Sequence, residues 1–434
     1  MLRLVRLFGL GLVIYLGLSV QALSAPSTFL YGVGTHFPSN PDVVGEGMRL
    51  MQEAGFNSYR DDIYWHIVEK QPGLFNYPGF YEQPVMQAQA AGISPMLILG
   101  RMGGGYKWQD GGSHKPVSEE KRKAFSRYAA AVASHYRGRV SLFELWNEWD
   151  QAEEPKTLEP YLALLKEVAP GLRVANPEAR LLLGSSSLEG LERTWIPKLL
   201  DAGVNDLVDG YSIHPYVHCE GRSKATPEWW FDWVSATLTR LNTLADGKIK
   251  PFYITEMSWP AHQGACGISE RQQAIYLAKI FVLAPFIPHV KGLWWYDLQN
   301  DGVDRSNMEH NFGLLTNDLQ SKDAYRVAQS LVPALVDKVA VRLVRLDSLW
   351  IAVLSDLEGR QLLAVWQERN DTRQLLRLDA SVKGVAYLVL PGGGWVADGK
   401  RNYSIGKEPL ILKGRSLSFE IFEGGRLLRK FGRE

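Results

Sequence analysis

The sequence predicts a (β/α)8 barrel followed by a small antiparallel β-sandwich. Three observations carry that expectation. Short apolar runs alternate with longer helical patterns eight times over about 300 residues, the order an α/β barrel requires. From about Val336 the helical period disappears, and short strand-like segments separated by turn residues take over. Polar and aromatic residues gather just after the apolar runs, which in such a barrel is the rim that carries the active site.

The eight strand-like runs lie near residues 29–34, 56–60, 94–100, 140–147, 180–184, 208–213, 250–256 and 290–296. Helical patterns follow near 42–54, 81–91, 118–137, 157–175, 191–202, 227–245, 269–286 and 321–335. An open doubly wound sheet would also alternate in this way. It would usually carry a Gly-rich phosphate turn after its first strand, and GVGTHFPSNP is not one. Beyond the barrel, segments such as LWIAVLS, QLLAVWQ, AYLVLP and LSFEIFE are separated by PGGG and NDT turns. They read as a sandwich packed on the barrel. The expected division is a signal peptide over 1–24, the barrel over 25–335 and the β-sandwich over 336–434.

The N-terminal division rests on Arg3 and Arg6, then a 14-residue apolar core from Leu7 to Val20, short for a spanning helix. Small residues at Ala22 and Ser24 suit cleavage near Ser24–Ala25. This predicts a periplasmic or secreted protein, or a membrane-anchored one if the segment stays uncleaved. In an oxidising compartment the two cysteines, Cys219 and Cys266, can pair, closing the rim loops after strands 6 and 7. Lys+Arg of 48 against Asp+Glu of 47 gives a net charge of +1, which points away from nucleic acid as a partner. A monomer is expected.

The chemistry begins at LFELWNEWD, Leu142–Asp150, an apolar strand that ends in charge. Burying charge is costly unless it is used or paired. Two carboxylates stand at strand ends: Glu148 after strand 4 and Glu256 after strand 7. A carboxylic acid and a carboxylate facing each other across a cleft are the machinery of glycoside hydrolysis. Sugars also account for the aromatic residues, whose faces stack on their C–H faces; the chain has 14 tryptophans. The expected substrate contacts are His36, Arg60, Trp65, Trp108, Asn147, Trp149, His214, Tyr216, Trp259 and Trp295, all near strand ends. Glu144, two pleats below Glu148, points to the same side and reads as structural, paired with a buried cation or hydroxyl. Trp229, Trp230 and Trp233 read as a packed helix face. No histidine spacing suggests a metal site, no cofactor is implied, and Ser185–Ser187 lack a nucleophile elbow.

ELWNEWD resembles the strand-4 Asn-Glu motif of clan A glycoside hydrolases. YITEMSW resembles their strand-7 nucleophile motif, and SIHPYV their strand-6 His-x-Tyr. WHIVEKQPGLFNY (65–77) is similar to the segment after strand 2, and NFGLLTNDLQSKDAYRV (311–327) to the closing segment of family 39. The trailing β-domain also fits family 39, whose members include a hydrolase from bacterial biofilm-polysaccharide clusters. Families 5, 30 and 79 share the clan plan. The resemblance implies Glu148 as acid/base, Glu256 as nucleophile and Asn147 as a contact to the sugar 2-hydroxyl. It implies that Tyr216 and Arg60 hold Glu256. The function it implies is a retaining hydrolase of a polysaccharide or oligosaccharide, such as a bacterial exopolysaccharide. A transglycosylase, or a non-catalytic polysaccharide-binding protein on the same barrel, are the alternatives.

Overall fold

The computed structural model describes residues 29–100, 115–151, 157–369, 372–397 and 399–432. The expected export segment and Trp108 lie outside them. Eight strands close into a parallel barrel in chain order: β1 (Leu30–Gly34), β2 (Ser58–Tyr64), β3 (Ser94–Gly100), β4 (Leu142–Leu145), β5 (Arg180–Ser186), β6 (Gly210–Ile213), β7 (Phe252–Met257) and β8 (Val290–Trp295). These strands are covered on both faces. That is why they read as near-continuous apolar runs such as SPMLILG and not as alternating ones.

The outer ring holds α1 (Val44–Glu53), α2 (Gly79–Ala91), α3 (Glu119–His135), α4 (Leu158–Ala175), α5 (Ile196–Asp201), α6 (Pro227–Leu244), α7 (Glu270–Leu283) and α8 (Asp323–Leu335). Several starts are set by side-chain caps. Ser118, Thr226 and Ser269 accept from the backbone N–H of Lys121, Trp229 and Gln272. The helix face around Trp229 is packed as expected: Trp230 is buried, and Trp229 and Trp233 stack with centroids 5.9 Å apart.

The barrel floor is a plug of Met96, Leu142, Leu182, Tyr253 and Trp294. Trp294 Nε1 donates to Ser58 Oγ at 3.1 Å. A Cβ at Gly32 would lie 2.1 Å from the Trp294 ring, so the indole fits only because β1 carries glycine there. The side chains above this plug, one pleat higher on each strand, form the site.

The C-terminal domain has two antiparallel sheets. One has six strands in the order Trp395–Ala397, Ala386–Leu388, Leu410–Arg415, Arg360–Gln367, Leu349–Ser355 and Val339–Leu346. The other has four: Asn402–Ile405, Gln374–Leu378, Phe419–Glu423 and Arg426–Phe431. Alternation gives the six-stranded sheet two apolar faces. Leu349, Ile351, Leu363, Val365 and Leu412 meet the four-stranded sheet. Trp350, Ala352, Leu362, Ala364, Trp366 and Ile411 join the barrel core instead. Trp350 and Trp366 stack there with centroids 5.8 Å apart. Trp366 Nε1 donates to Glu228 Oε1 at 2.7 Å, the same oxygen that pairs with Lys279 at 2.7 Å.

Candidate active site

Arg60 is the hub. Its inward place on β2 puts it beside Glu144 of β4, and both are buried. Nε and Nη2 donate to the two Glu144 oxygens at 2.8 and 3.0 Å. Nη1 donates to Glu256 Oε1 at 2.6 Å, and Nη2 also to Asn147 Oδ1 at 2.7 Å. Burial opposes the guanidinium charge, but Glu144 and Glu256 outweigh it and keep the group protonated. A buried ion pair is defensible when its geometry is bidentate and its lone pairs are filled. Glu144 meets both conditions, because Oε1 also accepts from Ser185 N at 3.3 Å.

The turn after β4 is strained. Trp146 and Glu148 both have positive φ, 68° and 47°, a region side chains other than glycine rarely adopt. Neighbouring β5 makes room for it: a Cβ at Gly184 would sit 2.0 Å from Leu145 O. Ser185 Oγ accepts from Glu148 N at 2.8 Å and donates to Asn147 Oδ1 at 3.2 Å. Asn147 therefore has its carbonyl oxygen occupied from below, by Arg60 and Ser185, while its side chain lines the cavity.

Glu256 reaches the mouth through an irregularity. Tyr253 faces the barrel interior and Ile254 the helices, so strict alternation would turn Thr255 inward and Glu256 outward. The ladder to β8 shifts register between Ile254 and Met257, and both side chains serve the site. Tyr216 Oη donates to Glu256 Oε2 at 3.0 Å. His214 is buried between the two carboxylates, with Nδ1 2.8 Å from Glu148 Oε1 and 3.5 Å from Glu256 Oε2. Its Nε2 meets Thr255 Oγ1 at 3.1 Å. Burial lowers the imidazole pKa, but Glu256 and then Glu148 outweigh burial, and the net shift is upward. Oxygens of Glu148 and Glu256 lie within 4.8 Å of each other.

These groups open into a cavity of about 690 Å3, within the range of about 300–1,000 Å3 typical of ligand sites. His36, Arg60, Asn147, Glu148, Tyr216 and Glu256 line it. Among the described residues, the expected tryptophans do not. Trp65, Trp149, Trp259 and Trp295 are at most 1% exposed and lie behind the strands. Trp65 stacks on Tyr128, and Trp149 packs between Trp146 and Tyr161. Trp259 donates to Ala225 O, and Trp295 to Phe312 O. Position in the pleat explains Trp295, which follows the inward Trp294 and must face the helices. The aromatic lining is instead Tyr64, Tyr216, Tyr296 and Phe312.

Asp62, Tyr64, His218, Asp301 and Glu309 also line the cavity and went unread in the sequence. Ending strand 2 at Arg60 hid Asp62 and Tyr64; continuing the alternation by four residues reveals them. His36 Nδ1 meets Asp301 Oδ1 at 2.8 Å. Burial lowers the His36 pKa, but Asp301 and Asp297 outweigh it and lift it to about 10. Among the described residues, two groups bring histidine and carboxylate atoms within 4.8 Å of one another: Glu148–His214–Glu256 and His36–Asp297–Asp301. In the first, the Arg60 guanidinium against Glu256 already supplies a cation. In the second, the His36 imidazolium does so.

Cys219 and Cys266 form a disulfide with Cα atoms 5.1 Å apart, across 47 residues of sequence. It ties the loop after Tyr216 to the loop after Glu256. Cross-linking a loop of that length is worth about 4 kcal/mol in the chain-entropy account. Cys219→Ser/Cys266→Ser should therefore unfold several degrees lower in calorimetry. A melting temperature equal to wild type would show that the loops are fixed without the bond.

A parallel barrel with two glutamates close together at the ends of β4 and β7, above a buried Arg–Glu pair, holds the two carboxyl groups that glycoside hydrolysis uses. No family model matches the chain. Among solved structures it is similar to a family 39 glycoside hydrolase from the gut symbiont Bacteroides cellulosilyticus WH2. The two are 26% identical with a TM-score of 0.73, over 89% of this chain and 80% of that one. A monomeric β-xylosidase from Caulobacter crescentus CB15 (16%, TM-score 0.60, 89% and 95%) shares the fold. So does a family 39 enzyme from Xanthomonas axonopodis pv. citri (15%, TM-score 0.58, 89% and 93%). The chain is a glycoside hydrolase whose structural neighbours include family 39 enzymes with the same barrel.

Proposed function

We propose that the protein is a retaining glycosidase that works by double displacement, with Glu256 as nucleophile and Glu148 as acid/base. One observation carries this reading: carboxylate oxygens of the two residues lie within 4.8 Å. Retaining enzymes hold their carboxyl groups about 5–5.5 Å apart, and inverting ones about 6.5–9.5 Å, to admit a water. In the first step a Glu256 oxygen bonds to the anomeric carbon as the glycosidic bond breaks, and the leaving oxygen takes the Glu148 proton. In the second, Glu148 takes a proton from water, the water oxygen bonds to the same carbon, and the ester to Glu256 breaks.

The surroundings support this division of roles. Two donors, Arg60 and Tyr216, meet the Glu256 oxygens, as a nucleophile that must be an anion requires. Asn147, with its carbonyl oxygen held by Arg60 and Ser185, can turn its NH2 toward a sugar hydroxyl beside the reacting carbon. The substrate class in this reading is a polysaccharide, such as a bacterial exopolysaccharide, met by an exported enzyme. The N-terminal apolar segment and the disulfide support export.

The test is stereochemical. An active aryl glycoside is found by screening, and hydrolysis is followed by proton NMR from the first minute, before mutarotation. The product should appear first with the anomeric configuration of the substrate. First appearance of the opposite anomer would overturn the double displacement.

A further inference from the structure

A second cavity, of about 700 Å3, lies between α8 and the six-stranded sheet and shares no lining residue with the catalytic one. Its β-domain wall carries Lys338, Arg360, Lys383, Lys413, Arg415 and Trp395. The sheet face explains why. Ile411, Leu362 and Ala364 lie on the face that packs against the barrel. Further along the same face, where the barrel no longer covers it, the alternate positions become Lys413, Arg415 and Arg360. Arg360 and Arg415 are direct cross-strand partners, and Leu362 is opposite Lys413. Like charges directly opposite each other in a sheet are destabilising, so this cluster costs the fold something.

Among the described residues, two carboxylates answer these five cations. Asp356 pairs with Lys338 at 3.1 Å and Arg360 at 2.7 Å. Glu358 pairs with Arg360 at 3.3 Å and Arg415 at 3.8 Å. Among the described residues, Lys383 and Lys413 make no ion pair. Lys413 Nζ lies instead 4.2 Å from the centre of the Trp395 ring. Burial and the charge of Lys338 lower the Lys413 pKa, as expected for crowded cations without a full set of anions. The indole is held in place. Trp395 Nε1 donates to Ser330 O at 2.8 Å, and Gly394 N to Ser330 Oγ at 2.7 Å. Gly393, at φ 72°, lets the turn approach so closely that a Cβ there would be 2.3 Å from Arg326 O.

We propose that this groove binds an anionic glycan, a carboxylate-bearing stretch of polysaccharide, at a site separate from catalysis. Lysines without an ion pair supply charge complementarity, and the fixed indole, which carries Lys413 over one face, is the wall against which a sugar ring packs. The recess favours a single chain of linked rings over a bilayer, whose flat surface cannot enter it. Such a site would tether the enzyme to polymer while the barrel mouth works elsewhere on it.

Titration calorimetry of the full-length protein with tetragalacturonate and, separately, cellotetraose tests this. The uronate should bind more tightly, and more weakly as salt is raised from about 0.1 to 1 M. Lys383→Glu/Lys413→Glu should weaken uronate binding by about tenfold and leave kcat/KM on a small aryl glycoside unchanged. Trp395→Ala should also weaken it. If loss of its bond to Ser330 unfolds that variant, the exposed single change Lys383→Glu stands in for it. Uronate binding unaltered in the lysine variants would overturn the site. Equal affinity for the neutral tetramer would overturn its anionic character. Tighter, lysine-dependent binding of phosphatidylglycerol vesicles or duplex DNA would overturn the glycan assignment. None of these outcomes bears on the stereochemical test, so the two readings fail independently.

Discussion

Glu256→Gln should reduce kcat on every glycoside by on the order of 10⁴-fold or more, about 5–6 kcal/mol of transition-state stabilisation. An amide cannot form the glycosyl ester, so leaving-group quality should not rescue it. Gln is close in shape to Glu, and its oxygen can still accept from Tyr216 or Arg60. Arg60 keeps its bidentate partner Glu144, so the buried guanidinium is not left unpaired. The cost to stability is then about 1–3 kcal/mol, the range for one perturbed buried hydrogen bond. The measurement is kcat beside thermal unfolding. A folded variant within tenfold of wild type would show that another group attacks the anomeric carbon. A mechanism-based fluorosugar should label the wild-type peptide that contains Glu256, and no other carboxylate.

The barrel was readable in the sequence because parallel strands buried on both faces are unbroken apolar runs. The residues that end those runs in charge, Glu148 and Glu256, stand out for the same reason. Glu144 was readable through alternation: four residues before Glu148, it shares the inward side, and of the two partners expected there, a cation or a hydroxyl, the cation Arg60 is the one it meets. Trp65, Trp149, Trp259 and Trp295 lie away from the cavity; clustering near strand ends carries no direction. Trp294 and Trp295 are adjacent, yet one plugs the barrel and the other faces the helices. Glu256 joins the inward Thr255 at the site only through a register shift, which no periodicity shows. Asp301, Glu309 and Phe312 come from the long loop after β8, whose path is set by tertiary contacts such as Lys322 Nζ to Gly313 O at 2.6 Å. The basic groove is hidden for a similar reason. Arg360 and Arg415 are 55 residues apart in number (415 − 360) and meet only through strand pairing.

Glu148→Ala should separate the two halves of the reaction. General acid catalysis is worth typically 10²–10⁴-fold, so turnover of polysaccharide or of glycosides with poor leaving groups should fall by about that much. A dinitrophenyl leaving group departs without a proton, so the first step should persist and Glu256 should still become an ester. Hydrolysis of that ester needs a base for the incoming water. The base site is built by the strained turn at Trp146–Glu148, the Ser185 contact to Glu148 N and the His214 contact to Glu148 Oε1. With the carboxylate gone the glycosyl-enzyme should accumulate, visible as a burst of dinitrophenol and as a mass increase of the intact protein. The truncated side chain leaves space beside the anomeric carbon, and azide needs no base to attack. Added azide should therefore restore turnover and give a glycosyl azide of retained configuration, through two displacements at one carbon. In Glu256→Ala, azide can act only by a single displacement from the opposite face, so any product should be inverted. The paired outcomes assign each glutamate separately. Retained azide product from Glu256→Ala, with none from Glu148→Ala, would exchange the two roles. A Glu148→Ala protein as fast as wild type on unactivated polysaccharide would remove Glu148 from the reaction.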